Sequence, residues 1–187
     1  MSRFALAAGF LILLASPVPV SAASSSQQKK TEIGNMAQAT LQQLYGLQPS
    51  ARTAISRAAG YAVFSNFGMK ILLFGGGKGE GLAVNNATRQ QTYMKMLEGQ
   101  AGLGMGIKKV RVVFVFDNRQ ALDQFINSGW VVGGQTTAAA KYKGEGGALA
   151  GAVAVAPGVW VYQLTESGLA LELTIKGTKY YKDSDLN

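Results

Sequence analysis

The sequence predicts an α+β domain: an antiparallel, sheet-rich barrel or two-layer sandwich with two N-terminal helices and one further helix near residues 119–127. Three observations carry that prediction. From Tyr61 onward, short apolar runs of strand length recur at even spacing, punctuated by glycine. Ahead of them, residues 31–59 hold two stretches whose apolar residues recur at helical spacing. Once the leader is set aside, about 165 residues remain, which is the size of one domain with a working core.

The first 22 residues read as a removable export signal. Arg3 supplies a positive start, Phe4 to Leu14 is an apolar run too short to span a bilayer, and Pro17 and Pro19 break it. Val20-Ser21-Ala22 then fits cleavage after small residues. Residues 23–30, rich in Ser and Gln, have little to bury and read as a flexible leader, so the single domain is expected over 31–187.

Ile33, Met36, Ala37, Thr40, Leu41 and Leu44 place one apolar stripe on a first helix of about four turns. Its polar face carries Asn35, Gln38, Gln42 and Gln43 rather than the Lys and Arg of an interfacial helix, so the stripe is expected to pack on the protein's own sheet. A second helix is expected from Ser50 to Ala59, with Pro49 and Ser50 as start signals and Gly60 as the stop. Strands are expected near 61–66, 69–75, 80–85, 91–98 and 101–117. After the helix at 119–127, flanked by Asp117 and Asp123, more follow near 130–142, 148–155, 159–165 and 169–176.

Gly75, Gly77, Gly79 and Gly81 fall two apart, as do Gly102, Gly104 and Gly106, so each strand would present one bare face to another sheet, a large aromatic side chain or an acyl chain. No phosphate-cradling loop results: Leu72 stands at the first-glycine position before Gly77-Lys78, and Gly79 stands where a hydroxyl is needed. In the strand from Gly102 to Asp117, apolar residues sit at odd positions through Ile107 and at even positions from Val110. Either a β-bulge at Lys108-Lys109 restores one core face, or both faces beyond Val110 are buried.

The chain contains neither histidine nor cysteine. That removes Ser-His-Asp and Cys-His catalysis, thiolate chemistry and the common zinc sites, and it leaves the fold without disulfides. Glu80, Glu98, Glu145, Glu166 and Glu172 show no paired spacing, so no enzyme, cofactor or metal site is signalled. The formal net charge of +8 favours anionic partners. Lys108-Lys109-x-Arg111 and Lys141-x-Lys143 are the basic motifs, with Lys70 and Lys78 as neighbours in the fold; Lys109 with Arg111, and Lys141 with Lys143, share strand faces. Read alone, both pairs are the solvated face of a sheet.

Several segments from Ala59 to Asn187 change that weighting. Gly60-Tyr61-Ala62-Val63-Phe64, the glycine-rich run Gly75–Gly81, Asn118–Phe125, Gly133-Gly134-Gln135-Thr136 and Tyr180-Tyr181 appear in the order found in the SYLF domain, which this block resembles. Ser65 stands where that family usually has proline, and the acidic turn is missing. SYLF domains occur in bacterial secreted proteins and in eukaryotic endocytic adaptors that bind phosphoinositides and actin. The resemblance implies an exported, non-enzymatic module that meets anionic phospholipids or other anionic amphiphiles through Lys70, Lys78, Lys108, Lys109, Arg111, Lys141 and Lys143. The alternatives are a cell-envelope protein-interaction module, with actin binding by analogy, and a carrier for a small apolar ligand. Export disfavours nucleic acid.

Overall fold

The computed structural model describes residues 21–66, 76–99, 110–132, 149–170 and 177–187. Among them are three helices, α1 (Ser21–Leu47), α2 (Ser50–Arg57) and α3 (Arg119–Ser128). The strands are β1 (Gly60–Ser65), β2 (Gly76–Asn85), β3 (Gln91–Gly99), β4 (Arg111–Phe116), β5 (Trp130–Val131), β6 (Val153–Ala156), β7 (Val159–Thr165), β8 (Gly168–Ala170) and β9 (Thr178–Lys182). They form one sheet in the order β5-β9-β3-β2-β1-β4-β7-β6, every pairing antiparallel, with β8 beside the far half of β7.

Ring distances show how strongly the sheet curls. β4 and β5 lie five places apart, about 24 Å in a flat sheet at the usual strand spacing, yet the Phe114 and Trp130 rings are 5.8 Å apart. Phe64 on β1 and Tyr180 on β9 approach to 4.7 Å across three places. The result is an α+β half-barrel, which answers the choice between barrel and two-layer sandwich with a partly closed curl.

Strand alternation divides the apolar residues between two cores. The concave face gathers Phe64, Met94, Phe114, Phe116 and Tyr180, and α3 closes over them with Leu122 and Phe125. The convex face carries Val63, Leu82, Val84, Val113, Val115, Tyr162 and Leu164 beneath Ile33, Ala37 and Leu44 of α1 and Ala51 and Ile55 of α2. The α1 stripe therefore packs on the sheet, as its uncharged polar face implied. Burial pushes the Tyr162 phenol up to about 12. Val112 to Phe116 are all fully buried, so β4 is a strand with both faces covered. A bulge at Lys108-Lys109 lies outside the described residues, as does the strand expected at 69–75.

Glycine makes the tight curl sterically feasible at β2. A Cβ on Gly81 would overlap the Val63 carbonyl and come within 2.5 Å of Phe64 Cδ1; one on Gly79 would sit 2.7 Å from Met96 Cγ. The bare concave face of β2 is thus filled by large side chains from the strands on either side. Gly60 works similarly. A Cβ there would meet Leu122 Cδ2 at 2.7 Å, so this glycine opens β1 for α3 rather than stopping α2, which ends at Arg57 with Ala58 already extended.

Two further expectations need correction. Residues 23–30 were expected as a flexible leader, but α1 runs through them. Their anchors lie elsewhere in the chain: Lys29 pairs with Glu80 at 2.7 Å, and Lys30 stands 5.4 Å from the centre of the Tyr93 ring. The strand β9 was not expected at all, because its exposed positions carry lysine and its two fully buried residues, Thr178 and Tyr180, include only one large side chain.

Candidate functional site

Two of the seven basic residues singled out in the sequence, Lys78 and Arg111, fall among the described residues; Lys70, Lys108, Lys109, Lys141 and Lys143 lie outside them. Arg111, at the start of β4, is partly covered by α1 and donates from Nη1 to Gln43 Oε1 at 2.6 Å. Lys78 is exposed on the convex face of β2. The structure does not bring these two together, since β1 separates their strands.

The sheet register gives Lys78 different neighbours. Lys78 lies opposite Leu97 on β3, Leu97 opposite Lys179 on β9, and Lys179 opposite Val131 on β5. All four belong to one face, because Tyr180 and Trp130, their alternates on β9 and β5, are packed in the concave core. All four are exposed, Leu97 at 37% and Val131 at 48%. Helix α1 packs on β1, β2 and β4 of the convex face and α2 on β1; among the described residues neither helix buries this row, whose four side chains stay exposed.

The next row across the same strands is Glu80, Lys95 and Tyr181, and its charges are already neutralised. Lys29 pairs with Glu80, while Lys95 Nζ lies 2.8 Å from both Asp183 Oδ1 and Asp185 Oδ2. The hydrogen bonds from Lys95 to Asp183 and Asp185 hold its ammonium above the usual lysine range, and the Lys95 contact holds the Asp185 carboxyl below the usual carboxylate range. By contrast, Lys78 and Lys179 form no ion pair among the described residues. The Lys179 ammonium stands 5.9 Å from the centre of the Tyr181 ring.

Sequence reasoning found Lys78 and missed Leu97, Lys179 and Val131. Each looks ordinary in its own segment; the row exists only through the pairing of β3 with β9 and of β9 with β5.

A second feature is a cavity of about 480 Å³ between α3 and the turn joining β6 to β7. Phe116, Phe125, Trp130 and Val159 form its apolar walls, with the amides of Gln120 and Gln124 beside them. Asn118, also in the lining, is committed to capping α3 by accepting from the Ala121 N–H at 2.9 Å. Among the described residues, no three His, Cys, Asp or Glu side chains cluster to hold a metal ion, and no helix is long and apolar enough to cross a membrane.

Residues 98–187 match the family model described as Ysc84, Las17-binding protein actin regulator. The chain is also similar to the beta cell expansion factor A of Aeromonas veronii, with 34% identity over 171 residues. That alignment covers 87% of this chain and 60% of the relative, so the chain spans well under two thirds of the protein it matches.

Proposed function

The chain carries a Ysc84-family, SYLF-like domain, and from that premise we propose that it is an exported, non-catalytic module that associates peripherally with anionic lipid surfaces through basic positions on its strands. The observation that supports the reading is uncompensated positive charge on the convex face. Lys78 and Lys179 stand exposed there without ion pairs among the described residues, whereas the neighbouring carboxylates Glu80, Asp183 and Asp185 are already occupied by Lys29 and Lys95. A formal net charge of +8 adds a long-range attraction of the same sign. Each basic residue near an anionic bilayer contributes on the order of 1 kcal/mol, an effect that fades beyond a Debye length.

Flotation of the protein with vesicles tests this. Binding is expected to phosphatidylcholine vesicles that contain phosphatidylglycerol and not to phosphatidylcholine alone, and it should weaken as salt is raised. Equal binding to both, or to neither, counts against the proposal. With no histidine in the chain, binding should be flat between about pH 5.5 and about pH 7.

The family description, with its protein-binding and actin terms, favours a second reading, a protein-interaction module; for an exported chain the partner would be an envelope protein or, in a host, actin. Capture of a protein partner from detergent-solubilised envelope extract, unaffected by Lys78→Gln with Lys179→Gln, would support that reading over the lipid one.

A further inference from the structure

We infer that the row Lys78, Leu97, Lys179 and Val131 is a membrane-docking face in which the two apolar side chains enter the bilayer interface while the two lysines hold anionic head groups. The inference rests on the lipid reading above and goes beyond it by naming an insertion site, and a mode of contact that uses a sheet rather than a helix.

The register carries the argument. Basic and apolar residues alternate across β2, β3, β9 and β5 in one line on one face. At ordinary strand spacing the line is about 15 Å long, with the lysines about 10 Å apart. Exposed large apolar residues are few among the described residues: Leu47, Leu97 and Val131. Two of these three fall in this row. A solvated sheet face has no need of exposed Leu and Val at alternate places between lysines, whereas an anionic bilayer fits both kinds of side chain at once. Each lysine stem reaches back along apolar surface while its ammonium stays at head-group depth. The row beside it is self-neutralised, so of these two adjacent rows only the line with the apolar residues carries unpaired lysines.

α1 is excluded as the inserting element. Its apolar stripe, Ile33, Ala37 and Leu44, is buried against the sheet, and would have to leave Val63, Val113 and Tyr162 bare in order to reach lipid.

Because the chain lacks cysteine, Leu97→Cys and Val131→Cys give single sites for a spin label, with Leu47→Cys as an exposed apolar control on α1. The full chain is bound to phosphatidylcholine vesicles containing phosphatidylglycerol, and the collision of each label with oxygen and with a water-soluble nickel complex is measured. Labels at 97 and 131 should become more accessible to oxygen and less accessible to nickel on binding, and the label at 47 should not change. Separately, Lys78→Gln with Lys179→Gln should weaken binding roughly thirtyfold, and Leu97→Ser with Val131→Ser should weaken it at high salt, where the charge contribution is screened. Both pairs should leave the thermal midpoint unchanged, since all four side chains are exposed. Binding to these vesicles with labels 97 and 131 still in water overturns the docking face and leaves the lipid reading standing. Absence of binding to any vesicle removes the lipid reading, and this inference with it.

Discussion

Replacing Lys95 by methionine should destabilise the fold by about 3 kcal/mol, near the low end of what breaking a buried ion pair costs. The magnitude follows from the unequal exposure of its two partners. The Asp183 side chain is 2% exposed, so without the ammonium its carboxylate keeps only the Asp185 N–H, which donates to Asp183 Oδ1 at 2.9 Å. The Asp185 side chain is 77% exposed and contributes little. At this chain length the loss corresponds to a midpoint lower by about 6–12 °C. Urea unfolding of wild type, Lys95→Met, Asp183→Asn and the double variant would measure it, and the double variant should recover much of the loss because no buried charge is left unpaired. The pH dependence has a definite sign. The depressed Asp185 carboxyl contributes stability that is present above about pH 4 and is lost as pH falls through its folded value; the raised Lys95 contributes stability that is present below about pH 10 and is lost as pH rises through its folded value. The gap between wild type and Lys95→Met should therefore narrow above about pH 10 and change only slightly below about pH 4, because Asp185 is exposed. A Lys95→Met variant within about 0.5 kcal/mol of wild type would refute the reasoning, since a surface substitution away from any such feature falls in that range.

Three other outcomes are expected. Gly81→Ala should cost about 2–3 kcal/mol by urea unfolding, because the new methyl would overlap the Val63 carbonyl and the Phe64 ring. Asn118→Ala removes the cap on the Ala121 N–H and should lower stability by about 1 kcal/mol, with Asn118→Ser recovering most of it. A fragment of residues 98–187 alone should show no cooperative unfolding transition. It has β9 and β4 but lacks β1, β2 and nearly all of β3, which sit between them in the sheet.

The elements that the sequence made legible were those whose partners impose a simple period. The α1 stripe showed at spacings of three and four because a single surface buries it, and α3 showed through its flanking polar residues. β9 was hidden because Lys179 and Lys182 mask a strand that buries Tyr180 fully and Thr178 beside it. The N-terminal part of α1 was hidden because its Ser- and Gln-rich composition says nothing of Glu80 and Tyr93, the residues that Lys29 and Lys30 meet. The site divides in the same way. Lys78 could be found as a lysine on a strand, but the line it belongs to depends on pairings between distant segments, which composition and spacing do not encode. Arg111 was legible as a cation and not as a partner of Gln43, because that contact comes from the packing of α1 against β4, two segments far apart in the chain.

The position of β9 also bears on how the molecule assembles. It lies far along the chain from β3, yet it is internal in the sheet, with β3 on one side and β5 on the other. Until Thr178–Lys182 has been synthesised and has found β3, the aromatic interior has no wall on that side and β5 has no neighbour. Such long-range closure makes for slow folding and leaves apolar surface open to self-association in the meantime. A sheet of this topology remains incompletely closed until that distant segment has joined it.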